Sequence, residues 1–262
     1  MGKKTLIVAN WKMNFSINEG SLFIHKLDTL VGDYRDVEVV IAPTMLSLQP
    51  LHLQTHKHHF KLAAQNFYWR DSGAFTGEVA AAQLRGIVDY GIVGHSERRN
   101  IFNESDRELR NKVQAAFRNN FTPILCVGET AADRVDGDTI HVINHQVAGA
   151  LANITAEEAR GLVISYEPIW AIGTGENAPT SEIIKAAKAI RKQVSFLFGK
   201  EVSESVRILY GGSVSLENAN DYLRLEGIDG LLIGGTSLDV YAFAEIVKKA
   251  HNRTNEIKRG KR

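Results

Sequence analysis

The chain has 262 residues, of which 44% are hydrophobic and 23% are charged, a composition typical of a globular rather than a disordered protein. Its net charge of +1 gives no reason to expect a nucleic acid or a membrane as partner. Its single cysteine excludes an intrachain disulfide and a zinc site built from several cysteines.

The apolar runs of the sequence predict neither a signal peptide nor a membrane span. The apolar run at Leu6–Ala9 is too short for the core of a signal peptide, and no apolar run is long enough to span a bilayer. We therefore expect a soluble, cytoplasmic protein. Residues 251–262 carry a net charge of +4, whereas residues 1–250 carry −3. We expect one domain over residues 1–250, followed by a basic, disordered tail over residues 251–262.

Short apolar runs rich in Val, Ile and Leu recur along the chain, separated by longer segments. The runs lack polar alternation, as expected of parallel strands that are buried on both faces. They are Thr5–Asn10, Val37–Ala42, Phe60–Asn66, Tyr90–Gly94, Pro123–Val127, Leu162–Glu167, Arg207–Gly211 and Gly230–Gly234.

The segments between the strands have helical spacing. Apolar residues three and four positions apart form clear stripes within residues 140–151, 183–197 and 240–250, and Ser105 with Glu108 matches a capping box. Eight alternations of strand and helix, with no linker-like stretch, predict an α/β fold, a single (β/α)8 TIM barrel. A two-domain arrangement of the Rossmann type is the alternative.

Polar residues that follow the predicted strands are the first candidates for a site, since functional residues of such barrels lie at the carboxyl ends of the strands. Lys12 follows the first strand and could face an anionic substrate, with Asn10 orienting it. His95 follows the fourth strand, beside Ser96 and Glu97, where a helix N-terminus would favour the neutral imidazole. Each residue alone also fits a solvated lysine or a structural histidine.

Glu167 ends the sixth apolar run, where a carboxylate is costly to bury without a purpose. A stiff apolar segment and then a tip of small residues come next, as a hinged lid requires, although an ordinary loop is the alternative. The predicted lid consists of Pro168, Ile169, Trp170, Ala171, Ile172, Gly173, Thr174 and Gly175.

Glycine pairs follow the last two strands. Gly211 and Gly212 precede Ser213 after the seventh strand, and Gly234 with Gly235 follows the eighth. Barrel enzymes frequently bind phosphate through backbone N–H groups at these two positions. The two pairs together predict a phosphate site.

Three further features are better explained without a function. Residues 173–178 fit a dinucleotide-binding pattern, but Pro168 separates them from their strand. Four histidines within residues 52–59 could bind metal, yet they precede a strand and so belong to the opposite end of the barrel. Cys126 is best interpreted as a small packing residue rather than a nucleophile.

Together these motifs resemble those of the triosephosphate isomerase family, in order and spacing, over residues 4–250. The matching segments are Asn10–Asn14, Gly94–Arg99, Tyr166–Gly175, Tyr210–Val214 and Gly234–Gly235.

The resemblance implies the interconversion of dihydroxyacetone phosphate and D-glyceraldehyde 3-phosphate through an enediolate, with no cofactor and no metal. Glu167 is then the base and neutral His95 the electrophile that polarises the carbonyl. Lys12 stabilises negative charge, with Asn10 beside it. The remaining binding residues implied are those whose backbone N–H groups would hold the phosphate, namely Gly173, Ser213, Gly234 and Gly235.

The family's interdigitating loop is matched by residues 73–78, which implies a homodimer. The residues of this dimer loop are Phe75, Thr76, Gly77 and Glu78. Two departures from the family concern substrate preference and lid kinetics: Thr236 stands where alanine is commoner, and Glu176 with Asn177 occupies the end of the lid. An isomerase of a phosphorylated four-carbon ketose and a non-catalytic barrel scaffold are the competing hypotheses.

Overall fold

A computed structural model describes residues 3–55, 59–172 and 177–260. Over these residues eight parallel strands form a closed barrel, in which each strand pairs with the next and β8 pairs with β1. The strands are β1 (Thr5–Asn10), β2 (Val37–Ala42), β3 (Lys61–Ala64), β4 (Tyr90–Val93), β5 (Thr122–Val127), β6 (Val163–Tyr166), β7 (Arg207–Tyr210) and β8 (Gly230–Ile233). The predicted single (β/α)8 barrel is confirmed, and the predicted strands are correct to within one or two residues.

Helices follow the strands along the chain and cover the outside of the barrel. They are α1 (Ile17–Val31), α2 (Met45–Thr55), α3 (Ala81–Leu84), α4 (Ser96–Asn100), α5 (Asp106–Arg118), α6 (Ala131–Val135), α7 (Thr139–Leu151), α8 (Ala156–Ala159), α9 (Thr180–Phe198), α10 (Lys200–Ser205), α11 (Ala219–Leu223) and α12 (Val240–Gly260). Short 3-10 helices at Ile169–Ala171 and Gly235–Leu238 follow β6 and β8. Among the described helices, none combines the length and the apolar character needed to cross a bilayer.

The strands are apolar throughout because both of their faces are buried. Leu6 and Val8 belong to a cluster in the barrel interior, whereas Ile7 and Ala9 belong to the larger core between strands and helices. Successive strand residues point to opposite faces, so each apolar run contributes to both cores. This double burial places the ends of all eight strands at fixed positions.

The helix signals in the sequence are confirmed. The Ser105 hydroxyl accepts the N–H of Glu108 at 3.4 Å, and the Glu108 carboxylate accepts the N–H of Ser105 at 2.8 Å, which completes a capping box at the start of α5. Most residues of the predicted apolar stripes lie on the buried faces of α7, α9 and α12, with Ile143, Ile183 and Phe243 fully buried, but Ile140 at the start of the α7 stripe is 41% exposed.

The residues after Ala250 differ from the expectation of a disordered tail, because α12 continues through Gly260. The His251 ring stacks on Tyr34 with a centroid distance of 4.1 Å, and its Nδ1 lies 2.6 Å from a carboxylate oxygen of Asp36. Glu256 accepts a hydrogen bond from Arg224 at 2.8 Å. These contacts, with neither Pro nor Gly between Ala250 and Gly260, extend the helix along the barrel.

Candidate active site

Lys12 projects from the carboxyl end of β1 into the mouth of the barrel. Its backbone adopts a left-handed conformation with φ of +53°, which is uncommon for a residue other than glycine. The Gln65 side-chain amide supports this conformation by donating to the carbonyls of Lys12 at 2.9 Å and Ala42 at 2.8 Å. The Lys12 ammonium donates to Glu97 Oε1 at 2.6 Å, which directs the cation across the site.

His95 caps the amino end of α4 and is buried. Its Nδ1 accepts the backbone N–H of Glu97 at 3.3 Å. A ring nitrogen that accepts a hydrogen bond carries no proton, so this geometry corresponds to a neutral imidazole with its proton on Nε2. That Nε2 lies 3.7 Å from Glu167 Oε1, across the mouth of the barrel.

Glu167 follows β6 and is only 1% exposed. Its Oε2 accepts the backbone N–H of Ser96 at 3.1 Å. Its Oε1 has no hydrogen-bond partner among the residues that the structure describes. Among the described residues, the carboxylate therefore has one anchored oxygen and one oxygen without a hydrogen bond.

Glycines make room for this carboxylate. A Cβ on Gly211 would lie 2.9 Å from Glu167 Cγ and 2.5 Å from Ser165 Oγ, and a Cβ on Gly128 would overlap the Glu167 carbonyl. Only glycine permits the ends of β5 and β7 to approach β6 this closely.

A cavity of about 240 Å³ opens beside these side chains. Lys12 supplies the positive charge at its wall, and no carboxylate lines it among the described residues. The two glycine loops also line it, with Ser213 in one loop and Gly235 in the other. The full lining is Asn10, Lys12, His95, Ile172, Gly211, Gly212, Ser213, Val214, Leu232, Gly234, Gly235 and Thr236. A small anionic molecule suits this combination of one cation and two glycine-rich loops.

The first part of the predicted lid follows β6. Pro168 precedes the 3-10 helix Ile169–Ala171, and Ile172 reaches the wall of the cavity. Gly173, Thr174 and Gly175 lie outside the described residues. The end of the lid is described again at Asn177, whose side-chain oxygen accepts hydrogen bonds from Asn218 at 2.9 Å and Tyr222 at 3.4 Å.

Two residues of the site were not singled out from the sequence. Gln65 supports Lys12, as described above, and fully buried Glu129 supports the start of the lid. Glu129 accepts from the Trp170 indole at 2.8 Å and from the Tyr166 hydroxyl at 3.1 Å. Both follow a strand, Gln65 directly after β3 and Glu129 two residues after β5, so the rule that identified Lys12 and Glu167 could have identified them.

Two of the features set aside, the cysteine and the histidine tract, do not line the cavity where the structure describes them. Cys126 is fully buried in the barrel interior, and burial raises the pKa of its thiol, as does nearby Glu167, which opposes a nucleophilic role. His52 and His59 lie beside the amino ends of β3 and β4, and His56 with His58 lies outside the described residues. Within the described part of the chain, no three His, Cys, Asp or Glu side chains are grouped so as to hold a metal.

Comparison with known proteins covers nearly the whole chain. Residues 5–250 match the family described as triosephosphate isomerase. The triosephosphate isomerase of Clostridium acetobutylicum is 48% identical over 243 residues, which cover 92% of this chain and 98% of the relative. That of Clostridium beijerinckii is 44% identical over 94% of this chain and 99% of the relative, and that of Streptococcus mutans is 41% identical over 94% and 98%. The matched region includes the barrel and every loop that lines the cavity.

Proposed function

This chain belongs to the triosephosphate isomerase family, and we propose that it interconverts dihydroxyacetone phosphate and D-glyceraldehyde 3-phosphate through an enediolate, with Glu167 as base and neutral His95 as electrophile. The observation that carries the assignment of roles is the pair Glu167 Oε1 and His95 Nε2, 3.7 Å apart beside a cavity with a cation and two glycine loops. The family's reaction is an aldose–ketose isomerisation that needs no cofactor.

The reaction moves one proton between two neighbouring carbons. Glu167 Oε1 removes the proton from the carbon next to the carbonyl, and the electron pair of that C–H bond moves to the carbonyl oxygen. The N–H of His95 Nε2 donates to that oxygen as negative charge develops on it. Glu167 then returns the proton to the neighbouring carbon, while His95 transfers the hydroxyl proton between the two oxygens.

The remaining site residues bind the negatively charged substrate or hold the catalytic side chains in place. The Lys12 ammonium faces both the phosphate and the developing enediolate, with Asn10 beside it in the cavity wall. Ser96 and Glu97 are supporting residues: the Ser96 N–H holds Glu167, and the Glu97 carboxylate holds Lys12. N–H groups of Ser213, Gly234 and Gly235 bind the phosphate, joined by Gly173 when residues Pro168–Gly175 close over the substrate and exclude water.

A homodimer is part of this proposal. In the loop of residues 73–78, Thr76 is exposed and Phe75 is 38% exposed, and an apolar groove of about 450 Å³ lies beside Gly77 and Glu78 of this loop. Met13 is 93% exposed and Phe102 63% exposed at this groove, which is unusual for a monomer. A two-fold axis that places each loop in the partner's groove would cover both surfaces at once.

The proposed activity is tested with the purified protein and D-glyceraldehyde 3-phosphate, following both triose phosphates by NMR. We expect rapid equilibration that requires no added cofactor. A four-carbon sugar phosphate in parallel should be isomerised with a catalytic efficiency lower by about 10- to 10²-fold, the range for one extra carbon in a closed pocket. Absence of isomerisation would overturn the assigned function. A preference for the four-carbon sugar phosphate would show that it, rather than the triose phosphate, is the substrate. We further propose a cytoplasmic location, which the family's glycolytic reaction supports.

A further inference from the structure

A side-chain hydrogen bond joins the two glycine loops. The Thr236 hydroxyl donates to the Val214 carbonyl at 2.6 Å. Thr236 belongs to the 3-10 helix after β8, and Val214 lies in the loop after β7. Both residues line the cavity, beyond Tyr210 and Leu231, where the pairing of the two strands ends. The hydroxyl therefore links the loops at the point where each faces the substrate.

The same contact fixes a peptide plane in the β7 loop. Thr236 holds the carbonyl of the Val214–Ser215 peptide, and the Asn218 side-chain oxygen accepts the N–H of that peptide at 2.8 Å. The Asn218 amide also donates to the Ser213 carbonyl at 3.2 Å. Since a peptide is planar and rigid, two contacts at opposite ends determine its orientation. The backbone from Ser213 to Ser215 is thereby set in one direction relative to the cavity.

The β8 loop provides a rigid support for Thr236. Fully buried Ser237 donates to the Gly234 carbonyl through its N–H at 2.8 Å and its hydroxyl at 2.6 Å. The N–H of that peptide belongs to Gly235 and points away from the carbonyl. Holding the carbonyl on Ser237 therefore turns the Gly235 N–H away from Ser237, which is fully buried and does not line the cavity, whereas both glycines do. Thr236 lies between these fixed residues.

We propose that Thr236 is a positioning residue that sets the spacing of the two loops for a phosphate group. A phosphate bound by N–H groups of both loops requires a fixed distance between them, and preorganised donors bind an anion more tightly than mobile ones. The Thr236 hydroxyl is committed to Val214, so its effect reaches the substrate through the backbone. The inference rests on the proposed function and assigns Thr236 to recognition of the phosphate rather than to chemistry at the carbons.

Three variants test the role of the hydroxyl. Thr236→Val keeps the shape and removes the donor, Thr236→Ser keeps the donor, and Thr29→Val removes an exposed hydroxyl-to-carbonyl bond of 3.1 Å in α1 as a matched control. The measurements are kcat and KM for D-glyceraldehyde 3-phosphate, kcat/KM for unphosphorylated D-glyceraldehyde, and the calorimetric Kd of inorganic phosphate. Thermal unfolding verifies that each variant is folded.

Thr236→Val should raise both the KM for D-glyceraldehyde 3-phosphate and the Kd of phosphate by about three- to tenfold, the range for one lost hydrogen bond. Its kcat should stay within about twofold of the wild type, as should its kcat/KM for unphosphorylated glyceraldehyde. Thr236→Ser and Thr29→Val should match the wild type in all of these constants.

An unchanged Kd for phosphate in Thr236→Val would overturn the inference, as would an equal loss on both glyceraldehydes, which indicates a general structural role. A wild-type protein that binds phosphate but does not isomerise the triose would contradict the proposed function instead. The calorimetric Kd of phosphate would still test the role of Thr236 in that case, because it does not depend on activity.

Discussion

The two oxygens of the Glu167 carboxylate have different surroundings. Oε2 is anchored by the Ser96 N–H at 3.1 Å, and Oε1 faces His95 with no hydrogen-bond partner among the described residues. A buried carboxylate oxygen without a hydrogen bond is unusual, because most buried polar atoms in proteins are paired. The arrangement suits a base that must be held in place by one oxygen while the other reacts.

The position of this carboxylate can be tested by shortening its side chain. Glu167→Asp removes one methylene and withdraws the carboxylate by about 1 Å, and misplacement on that scale costs about 10²-fold in rate. We expect kcat for D-glyceraldehyde 3-phosphate to fall by about 10²-fold, with an unchanged melting temperature. Glu245→Asp on the exposed face of α12 is the matched control and should retain full activity. Turnover of Glu167→Asp within about threefold of the wild type would remove Glu167 from the role of base, because it would show that carboxylate position does not limit the reaction.

Among the elements, the strands were predictable from the sequence and the end of α12 was not. An apolar run such as Val37–Ala42 is a local signal, because burial on both faces leaves no place for polar residues. The contacts that extend α12 join residues far apart in sequence, as His251 and Asp36 do, and composition alone favours a disordered basic tail. The position of Gln65 directly after β3 was accessible to the strand-end rule, but its contact with Lys12 was not predictable, since it depends on where β1 places Lys12.

The opposite, amino ends of the strands carry a network of charged side chains. The Tyr90 hydroxyl in β4 donates to the Glu38 carboxylate in β2, and Arg207 in β7 lies 3.4 Å from the same carboxylate. Lys61 in β3 also lies 3.4 Å from it. Burial alone would raise the pKa of Glu38, but the Tyr90 hydroxyl and the charges of Arg207 and Lys61 outweigh it and hold that pKa below its ordinary value.

This network predicts a pH-dependent contribution to stability. A carboxylate whose pKa is lower in the folded state stabilises the fold above its unfolded pKa of about 4.3, and the contribution is lost as pH falls through the folded pKa. Glu38→Gln should lower the free energy of unfolding at pH 7 by about 1–3 kcal/mol, because it leaves Arg207 and Lys61 without their carboxylate. The difference from wild type should shrink as the pH is lowered below about 4.3.

Urea unfolding over a pH series, at one protein concentration, measures this difference. Glu226→Gln serves as the control, since the Glu226 side chain is 79% exposed and pairs only with Lys188 at the surface among the ion pairs of the described residues. If Glu38→Gln lowers the free energy of unfolding by the same amount at every pH, the lost side-chain contacts, and not the charge, cause the destabilisation.

At the scale of the whole molecule, the active site and the proposed dimer surface share one side chain. Lys12 lines the catalytic cavity and also the apolar groove that contains Met13 and Phe102. A loop that fills this groove from a partner subunit would pack against the segment whose left-handed backbone holds Lys12 at the wall of the cavity. Assembly would then complete the wall of the site, and dimerisation and activity should be lost together.

A cation at the tip of the loop tests this coupling. Thr76 is exposed, and Thr76→Arg would carry a positive charge into the partner's groove beside Lys12. Like charges brought together at an interface cost several kcal/mol, so we expect the dimer Kd to rise by about 10²-fold or more. The sedimentation coefficient and the specific activity of Thr76→Arg should be measured over the same range of protein concentration. Both should fall in parallel as the dimer dissociates.

The matched control is Thr29→Arg, which adds the same charge on the solvent face of α1, where Thr29 is exposed. It should sediment and turn over as the wild type does, so that a change in net charge alone is excluded as the cause. Raising the concentration of Thr76→Arg should restore part of its activity, because mass action repopulates the dimer and with it the completed site. A Thr76→Arg protein that remains a fully active dimer would place the interface elsewhere on the molecule. A fully active monomer would instead show that Lys12 keeps its position without a partner, and Gln65 and Glu97 would then be sufficient to hold it.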